Sequence, residues 1–138
     1  MTPNRKEAMS AYGPLQGGRI PDLNEVGKKL LKQFSCEAVL ITLGEEGMIL
    51  FEKSGSVTKI PTTAQEVYDV SGAGDTVIAV FAMAISVGAS MKEAAVLANC
   101  AAGIVVGKLG TATLTHRELK ASLSAFSSRL PKEVLAHV

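Results

Sequence analysis

The stretch that most constrains this chain is Asp69-Val70-Ser71-Gly72-Ala73-Gly74-Asp75-Thr76, followed by a run to Val87 without a charge. Glycines at 72 and 74 let the backbone bend and approach a ligand with no Cβ in the way. The run after the turn reads as a buried helix from about Thr76 to Val87, stopping at Gly88. The glycine turn then lies at a helix N-terminus, where unpaired amides and the positive end of the helix dipole favour phosphate or another anion. Asp75 places a carboxylate at the same spot. Amide donors beside a carboxylate are what phosphoryl transfer to a hydroxyl requires: charge stabilisation plus a base for the attacking oxygen. Taken alone, the same spacing also fits a tight connection, because a lone G-x-G is a weak signal. A dinucleotide-binding turn fits less well, since the third glycine position holds Val77.

Either side of this turn the chain alternates short strands and helices. Thr2 and Pro3 suggest a helix start, with Thr2 as N-cap and Pro3 at the first helical position. Tyr12 to Pro21 holds Gly13, Pro14, Gly17 and Gly18 and reads as a loop. Asp22 with Glu25 forms a capping box for a helix whose apolar stripe is Leu23, Val26, Leu30, Leu31 and Phe34. Ala38–Leu43 is a wholly apolar run, expected as a buried strand parallel to its neighbours. Met48–Phe51 and Val57–Pro61 follow as strands, with Gly44–Gly47 as a connection between the first two. Ser90 and Glu93 box the start of a thin, alanine-rich helix to about Val106, and Thr115 and Glu118 box a last one carrying Leu119, Leu123 and Phe126. The pattern predicts one α/β domain over residues 1–138.

Several function classes fall away. A formal charge of +1 gives no broad positive field, and Lys28, Lys29 and Lys32 read as a solvated helix face, so no nucleic-acid partner is expected. Cys36, Cys100, His116 and His137 lack metal-ligand spacing, and two reduced thiols suit a cytoplasmic protein. The first residues are polar, so no signal peptide is expected. The uncharged stretches Thr76–Met91 and Ala94–Gly107 are shorter than the roughly 18–20 residues of a membrane span, so none is expected.

The wider wording carries a resemblance. Gln65-Glu66-Val67-Tyr68-Asp69-Val70-Ser71-Gly72-Ala73-Gly74-Asp75-Thr76-Val77-Ile78 resembles the second signature of the ribokinase-like (PfkB) carbohydrate kinases, most closely their heptose 7-phosphate kinases. Val80 departs from the Ala or Gly usual in that signature, on the helix and past the chemistry. Asn4-Arg5-Lys6-Glu7 is similar to the family's N-x-x-E motif, and Thr42-Leu43-Gly44-Glu45-Glu46-Gly47 to its T-x-G-x-x-G segment. Ala98-Asn99-Cys100-Ala101-Ala102-Gly103 through Gly110-Thr111 is similar to its A-N-x-A-A-G…G-x-G-T segment. Four pieces in the family's order, from Asn4 to about Leu119, correspond to the C-terminal half of such a kinase.

The resemblance implies the C-terminal part of a ribokinase-like, Rossmann-type three-layer α/β fold that binds ATP. It implies that Gly72, Ala73 and Gly74 form an anion hole and that Asp75 takes the proton from a sugar hydroxyl. Asn4 and Glu7 would order Mg²⁺ through water, and Thr42, Gly44, Gly47, Asn99 and Gly103 would line the nucleotide. Asp69 and Ser71 would belong to a monovalent-cation site, K⁺ in kind. From the residues alone, Asn99 also fits a satisfied core amide, and Lys108 either a phosphate neutraliser or an exposed lysine. The expected function is the ATP-binding part of a kinase for a heptose 7-phosphate-type sugar. A non-catalytic nucleotide-binding module that assembles with a partner chain is the alternative. The family's first half, which carries most of the sugar site, has no counterpart here. The chain is therefore expected to bind nucleotide alone, to leave sugar unphosphorylated, and to pair with that missing half or with itself through exposed apolar surface.

Overall fold

A computed structural model describes residues 1–14, 19–64, 66–110 and 112–128. Gly17 and Gly18 of the expected loop, Gln65 and Thr111 of the quoted motifs, and the C-terminal part of the 1–138 domain lie outside the described residues. The elements in order are α1 (Arg5–Tyr12), α2 (Leu23–Gln33), β1 (Ala38–Thr42), a 3₁₀ turn (Gly44–Glu46), β2 (Met48–Glu52), β3 (Val57–Ile60), α3 (Ala73–Ser86), α4 (Met91–Val106) and α5 (His116–Ser127).

The sheet order is β1-β2-β3, and both pairings are antiparallel, with Leu40 opposite Leu50 and Leu50 opposite Thr58. The expectation of parallel neighbours for the apolar run is thus corrected. A run without polar alternation reports burial on both faces, and strand direction does not follow from it. Side chains alternate across the pleat. Val39, Ile41, Ile49 and Phe51 therefore meet Ala8, Val26 and Leu30 of α1 and α2, while Leu40, Met48 and Leu50 meet α3, α4 and Phe126 of α5. Helices cover both faces, giving the three layers that the resemblance implies. On the other edge of β1 the chain does run parallel: the Met1 amino group donates to Ala38 O (3.0 Å), and Leu40 and Thr42 donate to Met1 O and Pro3 O (2.9 and 3.0 Å).

That pairing holds Met1–Pro3 extended, so the first helix starts later than Thr2 suggested. Asn4 is its N-cap, in a capping box with Glu7. Asp22, Ser90 and Thr115 cap α2, α4 and α5 with side-chain oxygens. Of the five α-helices described, α3 alone has no side-chain cap. It begins at Ala73, ahead of the expected Thr76, with Gly72 at φ +78° as its N-cap residue. Ile78 and Met83 on α3, Val87 at its end, and Val67, Tyr68 and Val70 before it are exposed.

Candidate functional site

A groove of about 540 Å³ opens between the β1–β2 turn, the start of α3 and one face of α4. Its size suits a cofactor-sized ligand. Thr42, Gly44 and Gly47 form one wall, Ala73 and Gly74 a second, and Asn99 and Gly103 the third. The groove thus joins seven predicted residues from three distant segments. Glu45, Met48, Thr62, Ala64, Val67, Val70, Val77, Ala102 and Val106 complete the lining and escaped sequence reasoning. For Ala102 and Val106 a signal existed: with Asn99 and Gly103 they fall three, four and seven residues apart, on one helical face.

At the α3 wall, geometry decides which donors are open. The Ala73 amide donates to Val70 O (3.2 Å), and the first bond of the helix ladder runs from Thr76 N to Gly72 O (2.9 Å). The amides of Gly72, Gly74 and Asp75 meet no acceptor among the described residues. Of the three amides expected to form an anion hole, that of Ala73 is therefore engaged and those of Gly72 and Gly74 are open, and Asp75 brings an open amide as well as its carboxylate. Asp75 is exposed in the first turn of α3 and makes no hydrogen bond or ion pair among the described residues.

The glycines differ in what they answer to. Gly47, at φ +89°, packs so closely that a Cβ would sit 2.2 Å from Ile60 O and 2.6 Å from Thr62 N. A Cβ at Gly103 would sit 2.2 Å from Thr63 Oγ1. Both are required by the protein's own packing. Gly74 has ordinary helical φ, and a Cβ there would meet nothing within 4 Å. Nothing in the fold asks for a glycine at this position on the groove wall.

Asn99 is buried at 3% exposure; its Nδ2 donates to Pro61 O (2.8 Å), and its carbonyl accepts from Thr63 Oγ1 (3.1 Å). It therefore staples the segment after β3 onto α4, as a satisfied core amide does. Its Oδ1 accepts nothing among the described residues, so the same side chain offers the groove an acceptor.

Asn4 and Glu7 lie beside the groove rather than in its lining, Asn4 bridging to Thr42. Asn4 Oδ1 accepts from the Glu7 amide (2.9 Å) and Glu7 Oε2 from the Asn4 amide (2.8 Å), leaving the other Glu7 oxygen open. Asp69 and Ser71 also lie outside the lining. The Ser71 amide donates to Asp69 Oδ1 (2.8 Å); this bond first, then the Ser71 hydroxyl and the Gly110 amide, holds the carboxyl of Asp69 below its ordinary range. The amides of Tyr68 and Asp69 both donate to Val106 O (2.8 and 3.3 Å), tying the turn to the end of α4. Lys108 lies outside the groove lining, its ammonium held by Thr113 O and Glu118. Among the described residues no cluster of three or more His, Cys, Asp or Glu could hold a metal by itself, and no helix is long and apolar enough to cross a membrane.

Comparison with known proteins bears on the family and the fold. Residues 1–117 match the profile of the pfkB family of carbohydrate kinases. The bifunctional protein HldE of a Nitratiruptor species is 50% identical over 118 residues, covering 86% of this chain and 25% of that protein. The chain spans about a quarter of the length of the curated relatives it matches. Among solved structures, ribokinase from Thermotoga maritima superposes with a TM-score of 0.79 at 29% identity, over 89% of this chain and 41% of the other. Arabidopsis thaliana ribokinase, complexed with ribose and ATP, gives 0.73 at 27% identity, over 88% and 39%. The four motifs, the three-layer fold and these matches agree: the chain belongs to the pfkB family of carbohydrate kinases.

Proposed function

We propose that this chain is the ATP-binding part of a sugar kinase that transfers the γ-phosphate of ATP to a hydroxyl of a heptose 7-phosphate-type sugar. The observation that carries the reading is the uncapped start of α3. Its first two residues, Ala73 and Gly74, line a cofactor-sized groove, and Gly74 leaves room there that no protein atom uses.

In this reading the Gly74 and Asp75 amides, with the α3 dipole behind them, hold the transferring phosphoryl group. Asp75, with no competing partner, accepts the proton of the attacking hydroxyl as the new P–O bond forms and the bond to ADP breaks. The apolar part of the groove, Val77, Ala102 and Val106, takes the adenine ring, and Asn99 Oδ1 complements an exocyclic amine. Mg²⁺, when bound, would supply charge neutralisation for the phosphates. With no protein-only cage present among the described residues, Asn4 and the open oxygen of Glu7 fit a hydrated ion that phosphates ligate in part. The backbone around Asp69 and Ser71 would hold a monovalent cation such as K⁺, on family resemblance alone. The sugar is held by the remainder of a longer kinase, as the quarter-length match to the HldE relatives suggests. Partners are thus nucleotide, sugar phosphate, and either that remainder or a second copy.

Isothermal titration of the chain with Mg-ATP tests the reading. A saturable site that ADP competes for is the expected result. Absence of binding at millimolar nucleotide would overturn it.

A further inference from the structure

Lys108 and Glu118 lie outside the groove and take no part in the mechanism above. Lys108 follows α4 directly, its amide donating to Val105 O (3.0 Å). Its ammonium donates to Thr113 O (2.8 Å) and lies 2.7 Å from Glu118 Oε1. The other oxygen of Glu118 accepts from the amide and the hydroxyl of Thr115 (2.7 and 2.8 Å). Both oxygens of one carboxylate are therefore committed. Lys108 first, then the Thr115 amide and hydroxyl, lower the pKa of Glu118 to about 2, so the contact persists at neutral pH. Glu118 sits in the first turn of α5, which buried Phe126 anchors in the core against α4. On the other side, Val106 O, two residues before Lys108, takes the Tyr68 and Asp69 amides (2.8 and 3.3 Å). The bonds run from α5 through Lys108 and the end of α4 to the turn that opens α3.

We propose that Lys108 and Glu118 form a clasp that positions the Asp69–Gly74 turn, so that the open amides of α3 are held ready for phosphate from outside the groove. The proposal rests on the reading of that turn as a phosphate site. Lys108–Gly110 is exposed, apart from the partly buried Lys108, and ends in a glycine at φ +73°. Without a second anchor such a segment samples many conformations, and the end of α4 that holds the Tyr68 and Asp69 amides frays with it. A charge-assisted clasp to a packed helix removes that freedom before ligand arrives, which is how a preorganised site gains affinity.

Amide-resolved hydrogen exchange on the whole chain, with Mg-ADP titration alongside, tests it in wild type, Lys108→Met, Lys108→Arg and Glu118→Gln. In Lys108→Met and Glu118→Gln the Tyr68, Asp69 and Ser71 amides should lose roughly tenfold in protection, as expected for one ion pair plus one hydrogen bond. Mid-α4 amides should keep theirs, ADP affinity should fall by a similar factor, and Lys108→Arg should restore both. Wild-type protection of the turn in Lys108→Met would overturn the clasp. So would a loss shared equally by α4, which marks a merely structural role, or unchanged ADP affinity despite a loosened turn. If wild type binds no ADP, the nucleotide reading fails, and the exchange pattern still decides whether the clasp orders the turn.

Discussion

The two glycine-bearing walls of the groove look alike in sequence and differ in physics. In the β1–β2 wall, Gly47 is locked by a positive φ and by backbone atoms closer than a Cβ tolerates. In the α3 wall, Gly74 has an ordinary helical conformation and open space where a side chain would go. A glycine in the first turn of a helix adds nothing to stability, since glycine is the costlier choice there. The difference separates a residue serving the fold from one best explained by something that occupies the groove. The carboxylates divide the same way: Asp69 is engaged by Ser71, whereas Asp75 is exposed and unpartnered among the described residues.

The comparison is sharpened most by Asp75→Asn in a complete kinase that includes this chain. Turnover of a heptose 7-phosphate should fall by roughly 10²–10⁴, the range for losing a general base, while nucleotide affinity survives. Coupled ADP release measures it, and near-normal turnover would place the base elsewhere. Gly47→Val acts on the other wall. A β-branched residue at φ +89°, driven into Ile60 O and Thr62 N, should lower stability by about 3 kcal/mol or more, read by urea denaturation. A stable Gly47→Val protein would mean that this wall is as free as the other. The smallest effect concerns acid. Because the pKa of Glu118 is depressed from 4.5 to about 2, its contribution is present above the unfolded value and is lost as pH falls toward the folded one. Glu118→Gln should therefore flatten the pH dependence of stability between about pH 4.5 and pH 2. An unchanged acid limb of the melting curve would show that the clasp carries no such linkage.

Local signals were legible where they complete themselves locally. The Ser90–Glu93 and Thr115–Glu118 capping boxes and the α4 span follow from residues within one turn of each other. Thr2 misled as a cap because Met1–Pro3 pairs with β1, nearly forty residues away, which no neighbouring residue announces. The early start of α3 was hidden by Gly72 and Gly74, which read as breakers although the first helical turn tolerates them. The site's motifs were legible as wording, and the groove brings seven of their residues together. Which amides are open was not: Ala73 and Asp75 exchange roles through the bond from Ala73 N to Val70 O, a matter of backbone torsion. The double use of Asn99, staple on one side and open acceptor on the other, likewise depends on Pro61 and Thr63 arriving from β3.

The central claim is that Gly74 is small for a ligand's sake. Thermal melting and Mg-ATP titration of Gly74→Ala, measured on the same preparation, test it most directly. With nothing within 4 Å of the new methyl, stability should be unchanged or raised by up to about 1 kcal/mol, as for a glycine replaced at a compatible position. ATP affinity should fall, because the methyl enters the space where phosphate meets the α3 amides. Wild-type ATP affinity in the folded Gly74→Ala protein would contradict the account.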